Sequence, residues 1–110
     1  MKPPLIRLAQ DNEGEEIYRI LDSWGMVPKG LDWSKIYPCW LVAERRGKIV
    51  GTCQVLVGYP MGHIGFLAVD RSVHMLGNGW HLFRAAERLL VKSKCDGFTT
   101  ISDYPPITES

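Results

Sequence analysis

The stretch Leu67-Ala68-Val69-Asp70-Arg71-Ser72-Val73-His74-Met75-Leu76-Gly77-Asn78-Gly79-Trp80 joins an apolar run to a long helical pattern through a turn punctuated by glycine. A helix N-terminus presents backbone N–H groups with no carbonyl one turn back, and glycine lets a bulky anion reach them. Such a turn offers phosphate binding. Gly-x-Gly alone is a weak sign, because ordinary strand-to-helix turns also carry glycines, so the surrounding elements must decide. The histidines His63, His74 and His81 lack metal-ligand spacing. Cys39, Cys53 and Cys95 are odd in number and widely separated, which reads as reduced thiols rather than a disulfide scaffold or zinc site. Metal catalysis is not expected.

The elements that must position this turn follow from periodicity. Leu5 to Ala9 reads as a first strand, and Asn12 with Glu15 has capping-box spacing ahead of Ile17, Tyr18, Ile20, Leu21 and Trp24. Gly25 should stop that helix. Leu31 to Tyr37 suits a short second helix that Pro38 would end. Trp40 to Arg45 and Lys48 to Val57 are strand-like runs joined at Arg46-Gly47, a hairpin signal, and a turn over residues 58–62 leads to a strand over His63–Val69. From about Gly77 to Lys94 helical spacing places Leu76, Trp80, Phe83, Ala86 and Leu90 on one side. Arg84, Arg88 and Lys92 lie four apart on another side and read as a solvated face. Asp96-Gly97 breaks the helix before a last strand, Phe98 to Ile101, which is far enough away for a parallel crossover. The layout is α/β (α+β), and 110 residues make it one domain, 1–110.

Thirteen Lys+Arg against twelve Asp+Glu leave a formal net charge of +1 with no block of one sign, so electrostatics makes no case for nucleic acid or a membrane surface. No stretch approaches the roughly 18 uninterrupted apolar residues that cross a bilayer, and Met1-Lys2-Pro3-Pro4 before Leu5-Ile6-Arg7 is too broken for a signal peptide. A soluble cytoplasmic protein is expected.

The frame Leu67-Ala68-Val69, then His74-Met75-Leu76-Gly77-Asn78-Gly79, resembles the central signature of the GNAT family, the GCN5-related N-acetyltransferases. That signature is a strand ending in an apolar pair, a short loop, and Arg/Gln-x-x-Gly-x-Gly/Ala opening a helix. The order of elements over about residues 5–101 is similar as well. The resemblance implies a mixed, mostly antiparallel sheet of about five strands with helices on both faces. It also implies acetyl-CoA as acyl donor, with Leu67, Ala68 and Val69 pairing with the pantetheine arm. His74, Met75, Leu76, Gly77, Asn78, Gly79 and Trp80 would cradle the pyrophosphate through backbone amides. The family usually has Arg or Gln at the place of His74 and Pro at that of Arg71.

The resemblance further implies an N-acetyltransferase acting on a small-molecule or protein amine. His63 stands where several family members carry a glutamate general base. Strict alternation would put His63 on the same side as Leu67 and Val69, roughly 13 Å from Leu67 at about 3.3 Å per residue. Glu44 is the second candidate base; a hairpin-end charge beside Arg45 and Arg46 is the alternative reading. For the general acid only Tyr104 lies near the end of the last strand, and the family position does not transfer to it. The chain lacks the family's usual C-terminal helix and strands, which leads to the expectation of a homodimer completed through the last strand and tail. A reduced, possibly phage or mobile-element encoded CoA-binding or non-catalytic interaction or assembly module is the alternative function.

Overall fold

The computed structural model describes residues 3–27, 30, 40–58, 61–72, 77–95 and 97–100. They form strands β1 (Leu5–Leu8), β2 (Trp40–Arg45), β3 (Lys48–Leu56), β4 (Met61–Val69) and β5 (Gly97–Thr100), with helices α1 (Gly14–Asp22) and α2 (Asn78–Lys92). The five strands lie side by side in chain order, antiparallel except that β5 runs parallel to β4, so α2 is the crossover between them. The expected short helix over Leu31–Tyr37 and the C-terminal tail lie outside the described residues.

Alternation along the strands sends side chains into two cores, one on each face. Trp40, Val42, Ile49 and Ala68 meet Ile17, Ile20 and Leu21 of α1. Leu41, Ala43, Val50, Cys53, Ile64 and Val69 meet Leu82, Ala86 and Leu90 of α2. Burial pushes the Cys53 thiol up to about 12, which keeps it protonated and inert. No helix among the described residues is long and apolar enough to cross a membrane.

The local signals act where their chemistry is self-contained. Arg46 and Gly47 both take positive φ (53° and 76°), as a two-residue hairpin with matching twist requires. Gly25, at φ 67°, closes α1: its N–H bonds the Asp22 carbonyl (3.0 Å) and the Met26 N–H bonds that of Leu21 (2.9 Å). Three expectations shift. A 3-10 turn, Asp11–Glu13, precedes α1, and Glu13 rather than Glu15 reaches back, accepting the Gln10 N–H at 2.8 Å. Arg7 of β1 also grips the Glu13 carboxylate at 2.7 and 2.8 Å, and this long-range pair fixes the entry to the helix. β4 begins at Met61, two residues early, because Met61 and Gly62 pair with Gly97 and Phe98 instead of turning. On α2 the buried row is Asn78, Leu82, Ala86 and Leu90; Trp80 is 64% exposed.

Helix α2 sits close to the sheet over two glycines. A Cβ on Gly51 would come within 2.8 Å of Leu82 Cδ1, and one on Gly62 within 2.6 Å of Leu90 Cδ2 and 3.1 Å of the Leu56 carbonyl oxygen. Overpacking a core commonly costs about 1–3 kcal/mol. Gly62→Ala is therefore expected to lower the unfolding free energy by about that amount in urea titration. An unchanged midpoint would show that α2 yields freely.

Candidate active site

The decisive feature of β4 is a bulge. Thr52 pairs with Ala68 but Gln54 pairs with Gly65, so three steps on β4 oppose two on β3, and the extra residue falls at Phe66 and Leu67. Phe66 carries it with φ +49°, a conformation that costs a bulky residue on the order of 1–3 kcal/mol. Its ring lies 6.1 Å from the Trp40 ring and packs against the α1-side core, which offsets that strain. One added residue changes the phase of everything downstream. Ile64, Leu67 and Val69 all join the α2-side core, whereas Phe66 and Ala68 join the other.

His63 is consequently on the α1 side with Gly65, opposite Leu67 and Val69, and the expectation that all three share a side is corrected. Its Nε2 would be 2.8 Å from a Cβ on Gly65, so the imidazole lies across the glycine, partly buried. Glu44 also faces the α1 side, opposite Ile49, and its Oε1 accepts from Arg7 Nε (3.1 Å) and Nη2 (3.0 Å). With Glu13 it forms an ion-paired triad across β1 and β2, in which Arg7 holds the Glu13 carboxyl below the usual carboxylate range. Tyr104 lies outside the described residues.

Downstream of β4 the chain is clasped to α1. The Trp24 indole Nε1–H donates to the Val69 carbonyl (2.7 Å). The Arg71 guanidinium lies 3.8 Å over the Trp24 ring and donates to the Ser23 carbonyl (2.9 Å). Asp70 accepts the Ser72 N–H (3.0 Å) and hydroxyl (2.7 Å) and pairs with Arg19 at 3.2 Å. Sequence reasoning missed this clasp; Asp-x-Ser just after a strand is the turn spacing that marks part of it.

The Ser72 hydrogen bonds, aided by Arg19, hold the Asp70 carboxyl down at about 2, against 3.8 for an unperturbed one. A depressed folded value means stability present above pH about 4 and lost as pH falls toward 2. Asp70→Asn is expected to cost about 1–2 kcal/mol at pH 7 and to converge on wild type near pH 2 in urea titrations. A difference that does not vary with pH would contradict this.

Helix α2 opens at Gly77, left-handed at φ 79°, ψ 10°. Among the described residues it has no side-chain cap hydrogen bond and no acidic residue in its first turn, so none of them offsets the positive end of its dipole. Among the described residues a Cβ on Gly77 would meet nothing within 4 Å, and one on Gly79 only Val69 Cγ1 at 3.7 Å. Asn78 is fully buried and its Oδ1 accepts from Arg45 Nε at 2.8 Å, so it ties the start of α2 to β2 and is not itself open to a ligand, contrary to its expected place in the pyrophosphate cradle. Trp80 stands outside, edge-on to His81 at 5.2 Å. His74, Met75 and Leu76 lie outside the described residues. The fold thus brings together the end of the bulged strand, Leu67–Val69, and an open helix N-terminus at Gly77–Trp80.

The model of the acetyltransferase (GNAT) family matches residues 7–104. The chain belongs to the GNAT family. Comparison with curated proteins gives no match. Among solved structures, this GNAT chain is similar to Rv2747 from Mycobacterium tuberculosis, crystallised with CoA and NLQ (TM-score 0.79, 20% identity, 91% of this chain and 65% of that one). It is also similar to N-acetylglutamate synthase from Neisseria gonorrhoeae complexed with coenzyme A and L-arginine (TM-score 0.81, 15% identity, 92% and 25%). A third likeness is Ard1 from Thermoplasma volcanium (TM-score 0.70, 20% identity, 86% and 68%). The chain thus spans about two thirds of the first of these and a quarter of the second.

Proposed function

We propose that this GNAT chain binds acetyl-CoA and transfers its acetyl group to an amine by direct attack. The observation that carries the reading is the juxtaposition of the β4 bulge with the open, uncapped start of α2. The space at Gly77 and the lack of acidic residues in the first turn fit a pyrophosphate. Backbone N–H groups at Gly77, Gly79 and Trp80 hold it, and the outward edge of Leu67–Val69, apart from the Val69 carbonyl that Trp24 holds, pairs with the amide-bearing pantetheine arm. Acetyl-CoA supplies the activated acetyl group. His63 takes the proton of the acceptor's ammonium; a C–N bond forms, the C–S bond breaks, and the thiolate leaves to be protonated. His63 is preferred to Glu44 as base because Arg7 occupies the Glu44 carboxylate.

Incubation with acetyl-CoA and a panel of primary amines, with free CoA thiol measured over time, tests the proposal. Thiol release that depends on both an amine and the protein is the expected result. Calorimetric binding of acetyl-CoA without transfer to any amine would favour a non-catalytic CoA-binding module, and no binding at millimolar acetyl-CoA would overturn both readings.

A further inference from the structure

A groove of about 770 Å³ runs between β1, an edge strand of the sheet, and the second half of α2, three strands away from β4. Its floor is apolar, formed by Ile6, Leu8, Leu41, Ala85 and Leu89, with Val91 at the rim. Leu8 and Val91 are 47% and 69% exposed.

One wall of the groove is the open edge of the sheet. The Ala9 N–H bonds the Trp40 carbonyl (2.8 Å), so Leu5, Arg7 and Ala9 turn their backbone groups toward β2 while Ile6 and Leu8 turn theirs outward. Arg7 Nη1 reaches the Leu8 carbonyl at 3.2 Å; among the described residues nothing bonds the outward N–H and C=O of Ile6.

The charges on the groove do not balance. Glu87 is paired with Arg84 at 3.0 Å, and Arg7 with Glu13 and Glu44. Arg88 and Lys92, exposed and one helical turn apart, have no ion pair among the described residues.

The geometry points to a binding site for an extended acidic peptide that adds a strand to β1. Its outward amides would pair with Ile6 and Leu8, alternate apolar side chains would fill the groove, and carboxylates would meet Arg88 and Lys92. A second copy of this chain fits worse, because two-fold pairing of β1 strands sets both copies' Arg88 and Lys92 side by side. Two cations over an apolar floor are also a poor match for a nucleic-acid backbone.

The test is selection of a random displayed decapeptide library on the full chain, followed by fluorescence anisotropy with the enriched peptide. Enrichment of Asp or Glu with apolar residues at alternate positions is expected. The double variant Arg88→Glu/Lys92→Glu should weaken binding at least tenfold, and N-methylation of alternate peptide amides should abolish it with the protein unchanged. No enrichment, an enriched set without acidic residues, or binding indifferent to either change would overturn the proposal. A sedimentation dimer that Leu8→Glu dissolves would overturn it too, by giving the edge to a second copy. None of these readouts involves acetyl-CoA, so the result stands apart from that of the transfer assay.

Discussion

Gly79→Asp is expected to abolish the rise in melting temperature that acetyl-CoA gives the wild-type chain. A ligand bound only by the native state at a hundred times its Kd stabilises by about 2.7 kcal/mol, which for a domain near 100 residues is roughly 10 °C or more. The substitution places a carboxylate at the start of α2, against the proposed position of the pyrophosphate. Two like unit charges about 4 Å apart at an effective dielectric near 20 repel by about 4 kcal/mol, so affinity should fall at least a hundred-fold. Folding should not suffer. The new Cβ meets Val69 Cγ1 at an ordinary 3.7 Å, and an acidic residue in the first turn of a helix complements its dipole. The ligand-free melting temperature is therefore expected to hold or rise slightly, which separates lost binding from lost structure. Gly77→Asp should behave likewise for the ligand, with a penalty of about 1–2 kcal/mol from its left-handed φ of 79°. Full retention of the acetyl-CoA shift in Gly79→Asp would remove the phosphate assignment.

His63→Ala should slow acetyl transfer roughly 10²–10⁴-fold at neutral pH and leave acetyl-CoA affinity within a few fold, since a general base acts on the transition state. The geometry provides a second route to the same group. A Cβ on Gly65 would lie 2.8 Å from His63 Nε2, so Gly65→Ala must displace the imidazole. Gly65→Ala should slow the wild-type reaction but add little in the His63→Ala background, a non-additivity expected only if both act through one side chain. Glu44→Gln, by contrast, should weaken the triad with Arg7 and Glu13 and lower stability without moving the pH profile of the rate. Near-normal rates in His63→Ala with a shifted profile in Glu44→Gln would transfer the role to Glu44.

What could be read in the sequence was whatever a few adjacent residues settle among themselves. Arg46-Gly47 can adopt the two positive φ values of a hairpin, Gly25 can end a helix, and the spacing from β4 to β5 admits a parallel crossover. The features that needed distant partners were not legible. Gly65 interrupts the strand pattern, but the positive φ falls on Phe66 beside it, and that choice depends on the register between β3 and β4 and on the Trp40 ring. The side of the sheet taken by His63 went with it, because one unpaired residue inverts the alternation. The cap of α1 moved because Arg7, a strand residue, holds Glu13. Gly77 and Gly79 were legible as the turn that opens α2, whereas the burial of the Asn78 side chain on Arg45 was not.

The supports of the β4 end bear on how such a chain can be recombined. Trp40 packs beside Phe66 of the bulge, the Trp24 indole holds the last carbonyl of β4, and Arg19 holds the carboxylate that begins the turn. All three come from the half of the chain that precedes the glycine signature. A chimaera that kept β4 and α2 but took its first 45 residues from a distant relative would inherit the motif without the contacts that shape it. The heritable unit is the pair of halves, and substitutions at Arg19, Trp24 or Trp40 should coevolve with those at Phe66 and Asp70.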